Sequence, residues 1–321
     1  MSEHFIKEIE IKDYKLFKDF KAEGFGRVNL IGGKNNVGKT AFMEACFLSE
    51  KVISFDRVSA NLLYLSNIRY NLCSTIIVGK NFKKLLDNYK KIEISSNLNN
   101  LSFEFITDKL TYEYVLNNKK ENISNFLKEN MEFIIPLFIN FLPSSNINNQ
   151  FLFEEFDKIK ELRLRNELNN ELYSFDSNIV EFEVIDNRPQ VYLNNLGKFI
   201  EISSLGHGFK RYLSLIMLIL INSNSVIYLD EIENGIHYTN FDKLWEIILT
   251  LSKEQNVQVF ATTHSKECIE SFNRVQKKLE DKDTYYFEMA KNIKTNKIFM
   301  TRIDSEQLEY GLAHNERIRG E

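Results

Sequence analysis

The 321-residue sequence predicts an α/β fold: a mixed central sheet flanked by helices and interrupted by an inserted β/helical arm. Three observations predict it. Short apolar strands at 28–31, 225–229 and 257–261 each run into a helical pattern, and continuous apolarity marks parallel strands covered on both faces. The first of these strands enters its helix through a glycine loop, Gly32-Gly33. Between 56 and 194 the texture changes, with Asn and Lys prominent and short β-rich runs, as expected of an insertion. The chain therefore divides into 1–55, the first part of a head; 56–194, the arm; and 195–321, the rest of the head.

Taken in order, Phe5, Ile6, Ile9 and Ile11 stand among Lys7, Glu8, Glu10 and Lys12, and Tyr14, Leu16, Phe17 and Phe20 follow, which predicts an antiparallel pair. After the glycine loop a helix is expected from near Lys39, where Phe42, Ala45, Cys46 and Leu48 recur at helical spacing. The arm carries strand-like runs at 92–95, 101–106 and 110–115, then helical patterning over 123–172 with a break around Pro143-Ser144-Ser145. Strands return at 179–185, 190–193 and 199–202. An apolar helix over about 208–221 follows, then the strand 225–229, a helix over 239–251, the strand 257–261 and a helix from Lys266 to about Leu279. Strands near 284–287 and 298–303 extend the sheet.

Composition excludes some classes. With 43% hydrophobic and 27% charged residues the chain is neither mainly disordered nor collagen-like. Lys+Arg 41 against Asp+Glu 45 gives −4, so there is no bulk attraction for polyanions, and DNA would need a local patch such as the Lys83/Lys84 and Lys90/Lys91 doublets. Cys46, Cys73 and Cys268 suit neither a disulfide framework nor a zinc site and point to a reducing cytosol. The apolar runs 131–142 and 213–221 reach about half of the ~20 residues of a membrane span, and Met1-Ser2-Glu3-His4 is no export signal; a cytoplasmic protein without a membrane partner is expected.

Gly33-Lys34-Asn35-Asn36-Val37-Gly38-Lys39-Thr40 matches the phosphate-loop pattern G-x-x-x-x-G-K-[ST] and lies between a strand and a helix, as that pattern requires. Glycines let backbone N–H groups converge on phosphate oxygens, and the helix start adds partial positive charge. Lys39 is expected on the β/γ-phosphates of ATP and Thr40 on Mg²⁺. The strand 226–229 ends in two carboxylates. Asp230 is expected near the metal, and Glu231, facing another way, as the group that positions or deprotonates water.

The run Asp230-Glu231-Ile232-Glu233-Asn234-Gly235-Ile236-His237, the helix with Trp245, and Phe260-Ala261-Thr262-Thr263-His264-Ser265 together resemble the ABC-type ATPases of the SMC/RecF and OLD kind. The match is closest to bacterial stand-alone OLD-family ATPases, many of them found in anti-phage defence loci. The resemblance implies that His264 senses the γ-phosphate. It also implies a signature loop within 203–211, where Ser204, Gly206, His207, Gly208 and Arg211 would cap ATP held by a second copy of the chain. Lys15, with Tyr14 and Phe17, sits where relatives contact the base and α-phosphate, although core packing is the expected role of the two aromatics. Transporter cassettes place a glutamine after the phosphate-loop helix; here no Gln occurs from Thr40 until Gln150. The stretch after His264 is too short for the Toprim nuclease of longer OLD relatives, so a nuclease or other effector is expected on a separate chain.

These readings converge on an ATP-hydrolysing homodimer or higher homo-oligomer that controls such an effector. A RecF/SMC-like DNA-binding ATPase of repair is the alternative, and a transporter motor is disfavoured by the missing glutamine and by the 233–237 sequence.

Overall fold

The computed structural model describes residues 3–50, 57–65 apart from 59 and 63, 91–106, 111–122, 140–144, 147 and 149–314. Its central sheet has the order β15-β14-β3-β13-β12-β8, built from β3 (Val28–Gly32), β8 (Phe141–Leu142), β12 (Val226–Leu229), β13 (Gln258–Thr262), β14 (Thr284–Lys291) and β15 (Ile298–Ile303). All neighbours run parallel except β15, which pairs antiparallel with β14. Strand alternation explains why the middle of this sheet reads as wholly apolar. Tyr228, Phe260 and Ile31 face one core, whereas Ile227, Leu229, Val259, Ala261 and Leu30 face the other.

Over the first face lie α1 (Lys39–Leu48) and an antiparallel sheet ordered β2-β1-β4-β5-β6-β7. Its strands are β1 (Glu8–Tyr14), β2 (Phe17–Glu23), β4 (Lys91–Ser96), β5 (Asn100–Ile106), β6 (Thr111–Leu116) and β7 (Lys119–Asn122). Phe25 binds the layers: its ring lies 5.1 Å from that of Phe260 and 5.9 Å from that of Phe42. The second face is covered by α4 (Gly206–Ile221), α5 (Phe241–Glu254) and α6 (Lys266–Lys278). Trp245 of α5 is fully buried edge-on to Phe272 of α6, and its indole N–H donates to the Cys268 carbonyl at 3.1 Å. The helix α7 (Ser305–Ala313) follows β15.

The segment 56–194, expected as an arm, is described only in part, and its described elements pair with and pack on the rest of the chain. The strand β4 pairs with β1, with Ile11 opposite Ile94, and β8 pairs with β12. The helices α2 (Asn149–Glu161) and α3 (Arg165–Phe175) pack Leu152, Phe156, Leu168 and Leu172 into the core beneath α4. The reason is physical: Ile92, Ile94, Leu101 and Phe103 form an apolar sheet face, and α2 and α3 each carry an apolar stripe, none of which is stable uncovered. The described parts of the segment are thus woven into the head. Within it, β9 (Ile179–Ile185), β10 (Arg188–Leu193) and, just beyond, β11 (Lys198–Glu201) form a three-stranded antiparallel sheet.

Two local points complete the frame. The stretch Ile202–Ile221 is long and apolar enough to cross a membrane, yet 67% of it is buried inside the protein, which makes it the core helix of the head. Cys46 and Cys268 are free and buried. Cys73, the lysines 83, 84 and 90, most of the apolar run 131–142 and Ser145 lie outside the described residues.

Candidate functional site

The strands β3, β13 and β12 are neighbours and parallel, with Ile31 opposite Thr262 and Leu229 opposite Ala261. Their C-terminal ends therefore deliver three loops to one edge of the sheet, the usual place for a ligand in an open α/β fold.

The first loop is 33–40. Gly33, Asn36 and Gly38 take φ of 136°, 61° and 107°, which turns the chain tightly into α1. A side chain on Gly33 would collide with the Met289 carbonyl of β14, so only glycine fits. Lys39 is 5% exposed; its Nζ donates to the carbonyls of Gly33 at 2.6 Å and Lys34 at 2.8 Å, and lies 3.2 Å from His264 Nδ1. Burial pushes the Lys39 ammonium down to about 8 from 10.5, against the pull of Glu288, Asp230, Glu233 and Glu231.

The second loop begins at Asp230, which is 6% exposed. Thr40 Oγ1 lies 3.1 Å from both of its carboxylate oxygens, and Thr262 Oγ1 donates to Oδ1 at 2.7 Å. Burial holds the Asp230 carboxyl above its ordinary range, opposed by these two hydroxyls. Glu231 then takes the left-handed conformation with φ 46°, and its N–H donates to Thr262 Oγ1 at 2.9 Å. That turn aims its side chain away from that of Asp230. Its carboxyl is also raised, first by burial and then by the charges of Asp230 and Glu233.

The third loop holds His264. Its Nε2 lies 3.7 Å from Glu231 Oε1, while its Nδ1 faces Lys39 Nζ. A charged lysine can only donate, so Nδ1 is the acceptor and Nε2 carries the proton toward Glu231. The imidazole thus bridges the phosphate loop and the carboxylate pair. Thr40 and Asp230 supply hard, partly anionic oxygens side by side, a donor set that fits Mg²⁺ better than a softer metal.

The remaining predicted residues fall in two groups. Ser204, in the turn before α4, and Gly206 and His207, at its start, are exposed, with Gly206 at φ 84°; Gly206 and His207 line a cavity of about 390 Å³ that also borders Glu201, Ser203 and Lys210. Gly208 packs on the backbone of Gly235, where an added Cβ would lie 2.5 Å from the carbonyl oxygen. Arg211 requires a correction: it is 5% exposed and acts within its own chain. Its guanidinium donates to the carbonyls of Pro143 and, at 2.6 Å, Asp230, and burial pushes it down to about 10. One helical turn beyond the exposed loop, Arg211 points inward because α4 buries that face.

Lys15 also departs from expectation. Its ammonium pairs with the buried Glu44 of α1 and lies 4.8 Å from the centre of the Tyr14 ring, and Tyr14 donates to the same carboxylate at 3.2 Å. Tyr14 and Phe17 are core residues, as expected; the tip of the Phe17 ring lies nearest to Gly38, with the half-exposed Leu16 beside it.

Sequence reasoning missed three participants. Thr262 links Asp230 and Glu231, Glu233 accepts from the His264 N–H at 2.6 Å, and Glu44 holds Lys15. The signals were a hydroxyl ending an apolar strand and a third carboxylate two residues past Glu231.

The chain is similar in sequence and in fold to several known proteins. The protein-family model described as "AAA domain, putative AbiEii toxin, Type IV TA system" matches residues 150–270. An ATP/GTP phosphatase of Helicobacter pylori is 26% identical over 328 residues, spanning 84% of this chain and 88% of that protein. Among solved structures, an Smc head bound to the C-terminal winged-helix domain of ScpA superposes with a TM-score of 0.61 at 13% identity, covering 94% of this chain and 99% of that one. The SMC head domain of Thermotoga maritima gives 0.53 at 14% identity, with coverage of 93% and 99%. The fold is that of these SMC head domains.

Proposed function

We propose that this chain is an ATPase that binds MgATP on the loop 33–40, closes head to tail on a second copy, and so governs a separately encoded effector in anti-phage defence in the cytosol, as an OLD-like protein. The observation that carries the catalytic part is the junction of Lys39, His264 and Glu231, with 3.2 Å and 3.7 Å between them, beside the Thr40–Asp230 oxygen pair. The phosphatase name of the Helicobacter relative supports hydrolysis, and the toxin description of the family model supports a defence role.

The chemistry is phosphoryl transfer to water. The main-chain N–H groups of the loop and Lys39 hold the β/γ-phosphates; to do so, Lys39 exchanges the carbonyls of Gly33 and Lys34 for phosphate oxygens. Thr40 and Asp230 would hold Mg²⁺, which when bound neutralises charge on the phosphates. Glu231 orients the attacking water and takes its proton. Its raised pKa makes it a better base, provided it stays ionised at working pH. His264, beside Glu231, presents its Nε2 proton to the γ-phosphate. From the partner, Ser204, Gly206, His207 and Gly208 at the start of α4 cap the same phosphate, as a helix N-terminus suits an anion.

The test is Glu231→Gln, assayed for phosphate release and by light scattering with ATP. Loss of turnover with an ATP-dependent doubling of mass supports the reading, and normal hydrolysis sinks the assignment of the base. The SMC-head fold favours a second reading, a DNA-binding ATPase. It requires hydrolysis stimulated by DNA and binding that weakens steeply with salt.

A further inference from the structure

We propose that Glu233 is a positioning residue, whose carboxylate holds the His264 main chain so that the imidazole stays between Lys39 and Glu231. The proposal rests on the reading of His264 and Glu231 as parts of an ATPase centre. Its evidence is the way the two loops are joined.

His264 lies in the two-residue gap, Thr263-His264, between the end of β13 and the cap of α6. Before it, Thr263 donates its N–H to the Ile31 carbonyl at 3.1 Å. After it, Ser265 caps α6, accepting from the Cys268 N–H at 3.1 Å, and gives its own N–H to Thr263 Oγ1 at 3.0 Å. The His264 N–H goes instead to Glu233 Oε1, at 2.6 Å, a charge-assisted bond.

Four bonds therefore join the carboxylate loop to the histidine loop. Thr262 Oγ1 donates to Asp230 Oδ1 at 2.7 Å, Glu231 N–H reaches Thr262 Oγ1 at 2.9 Å, Ile232 N–H reaches the Thr262 carbonyl at 3.0 Å, and His264 N–H reaches Glu233. The first three end on Thr262, the last residue of β13. Among the described residues, only the fourth grips the residue whose ring does the bridging. The other Glu233 oxygen, Oε2, is buried without a hydrogen bond, an arrangement that is unfavourable unless the carboxylate is needed in that place. Lys39 and Arg211 both feel its charge, so the carboxylate lies among the charged groups of the site.

Truncation should free the His264 backbone while leaving the loop 33–40 intact. The consequence is a loss of turnover with little loss of substrate binding. The experiment compares Glu233→Ala and Glu233→Gln in the full chain. Alanine should lower kcat by roughly 10- to 100-fold, the range for removing a group that orients a functional side chain, with KM changed less than about threefold. Glutamine keeps the acceptor oxygen and should recover most of the rate. A second readout needs no hydrolysis: nitrogen-15 spectra of the imidazoles should show His264 as the Nε2–H tautomer in the native chain and in Glu233→Gln, and as a mixture in Glu233→Ala. Should the alanine variant fail to fold, Glu233→Asp, whose shorter arm withdraws from His264, takes its place in both comparisons. Native kcat and tautomer in the truncated variant, or a glutamine variant as impaired as the truncated one, overturns the proposal. If the native chain releases no phosphate from ATP, the ATPase reading fails by itself, and the tautomer comparison still decides the role of Glu233.

Discussion

Arg211 donates through its guanidinium to the main-chain carbonyl of Asp230 at 2.6 Å, so a residue of α4 supports the carboxylate loop of its own chain. Arg211→Ala strands that carbonyl and the one at Pro143, and should destabilise the fold by about 2–4 kcal/mol, measurable in urea unfolding. A mixing test separates this role from one across a dimer. An Arg211→Ala chain mixed with a Lys39→Ala chain should stay inactive, because the intact phosphate loop and the damaged carboxylate loop share one subunit. Recovery of ATPase activity on mixing would assign Arg211 to the partner's site.

The buried ammonium of Lys39 makes nucleotide binding a proton-linked event. Its pKa of about 8 in the free protein must rise when phosphate charge arrives. Binding at pH 8.5 should therefore take up a fraction of a proton that is absent at pH 6.5, read by calorimetry in buffers of different ionisation enthalpy. The same shift bears on stability. Between about 8 and 10.5 the unfolded chain keeps the lysine proton that the folded chain has released, so this group's contribution makes the nucleotide-free protein more stable as pH rises through that window.

Asp230 and Thr40 stand within 3.1 Å of each other. Asp230→Asn should leave ATP affinity in EDTA close to native and remove most of the gain that Mg²⁺ brings, on the order of tenfold or more. Equal Mg²⁺ enhancement in both proteins would place the ion elsewhere.

Gly208 meets the Gly235 carbonyl across the gap between α4 and the 233–237 turn. Gly208→Ala should cost about 1–3 kcal/mol by forcing these backbones apart. Gly206→Ala meets open space, but at φ 84° and ψ 170° the backbone is one that only glycine adopts readily, so it should also cost about 1–3 kcal/mol. Thermal unfolding of the two variants checks both costs.

The middle of the central sheet was legible in the sequence because β3, β12 and β13 are buried at every position and mostly apolar, and the phosphate loop because glycine spacing and a Lys-Thr pair are local features. Less legible were properties that depend on distant partners. The burial of Arg211 follows from which face of α4 meets the core, and the pairing of Lys15 from Glu44 lying on the next helix. The membership of β4–β7 in the head follows from Ile94 meeting Ile11 across a gap of more than eighty residues, which no local pattern encodes. Glu233 stood in plain view, but its role is set by an N–H thirty-one residues away.

Glu231 sits in a left-handed turn that a side chain makes awkward, at a cost of about 1–2 kcal/mol, whereas glycine adopts it freely. Glu231→Gly should therefore melt at a higher temperature than the native protein while turning over no ATP. Drift at this codon is favoured by thermodynamics and opposed only by selection for activity, so a lineage released from its work would tend to harden into an inert, heat-tolerant relic.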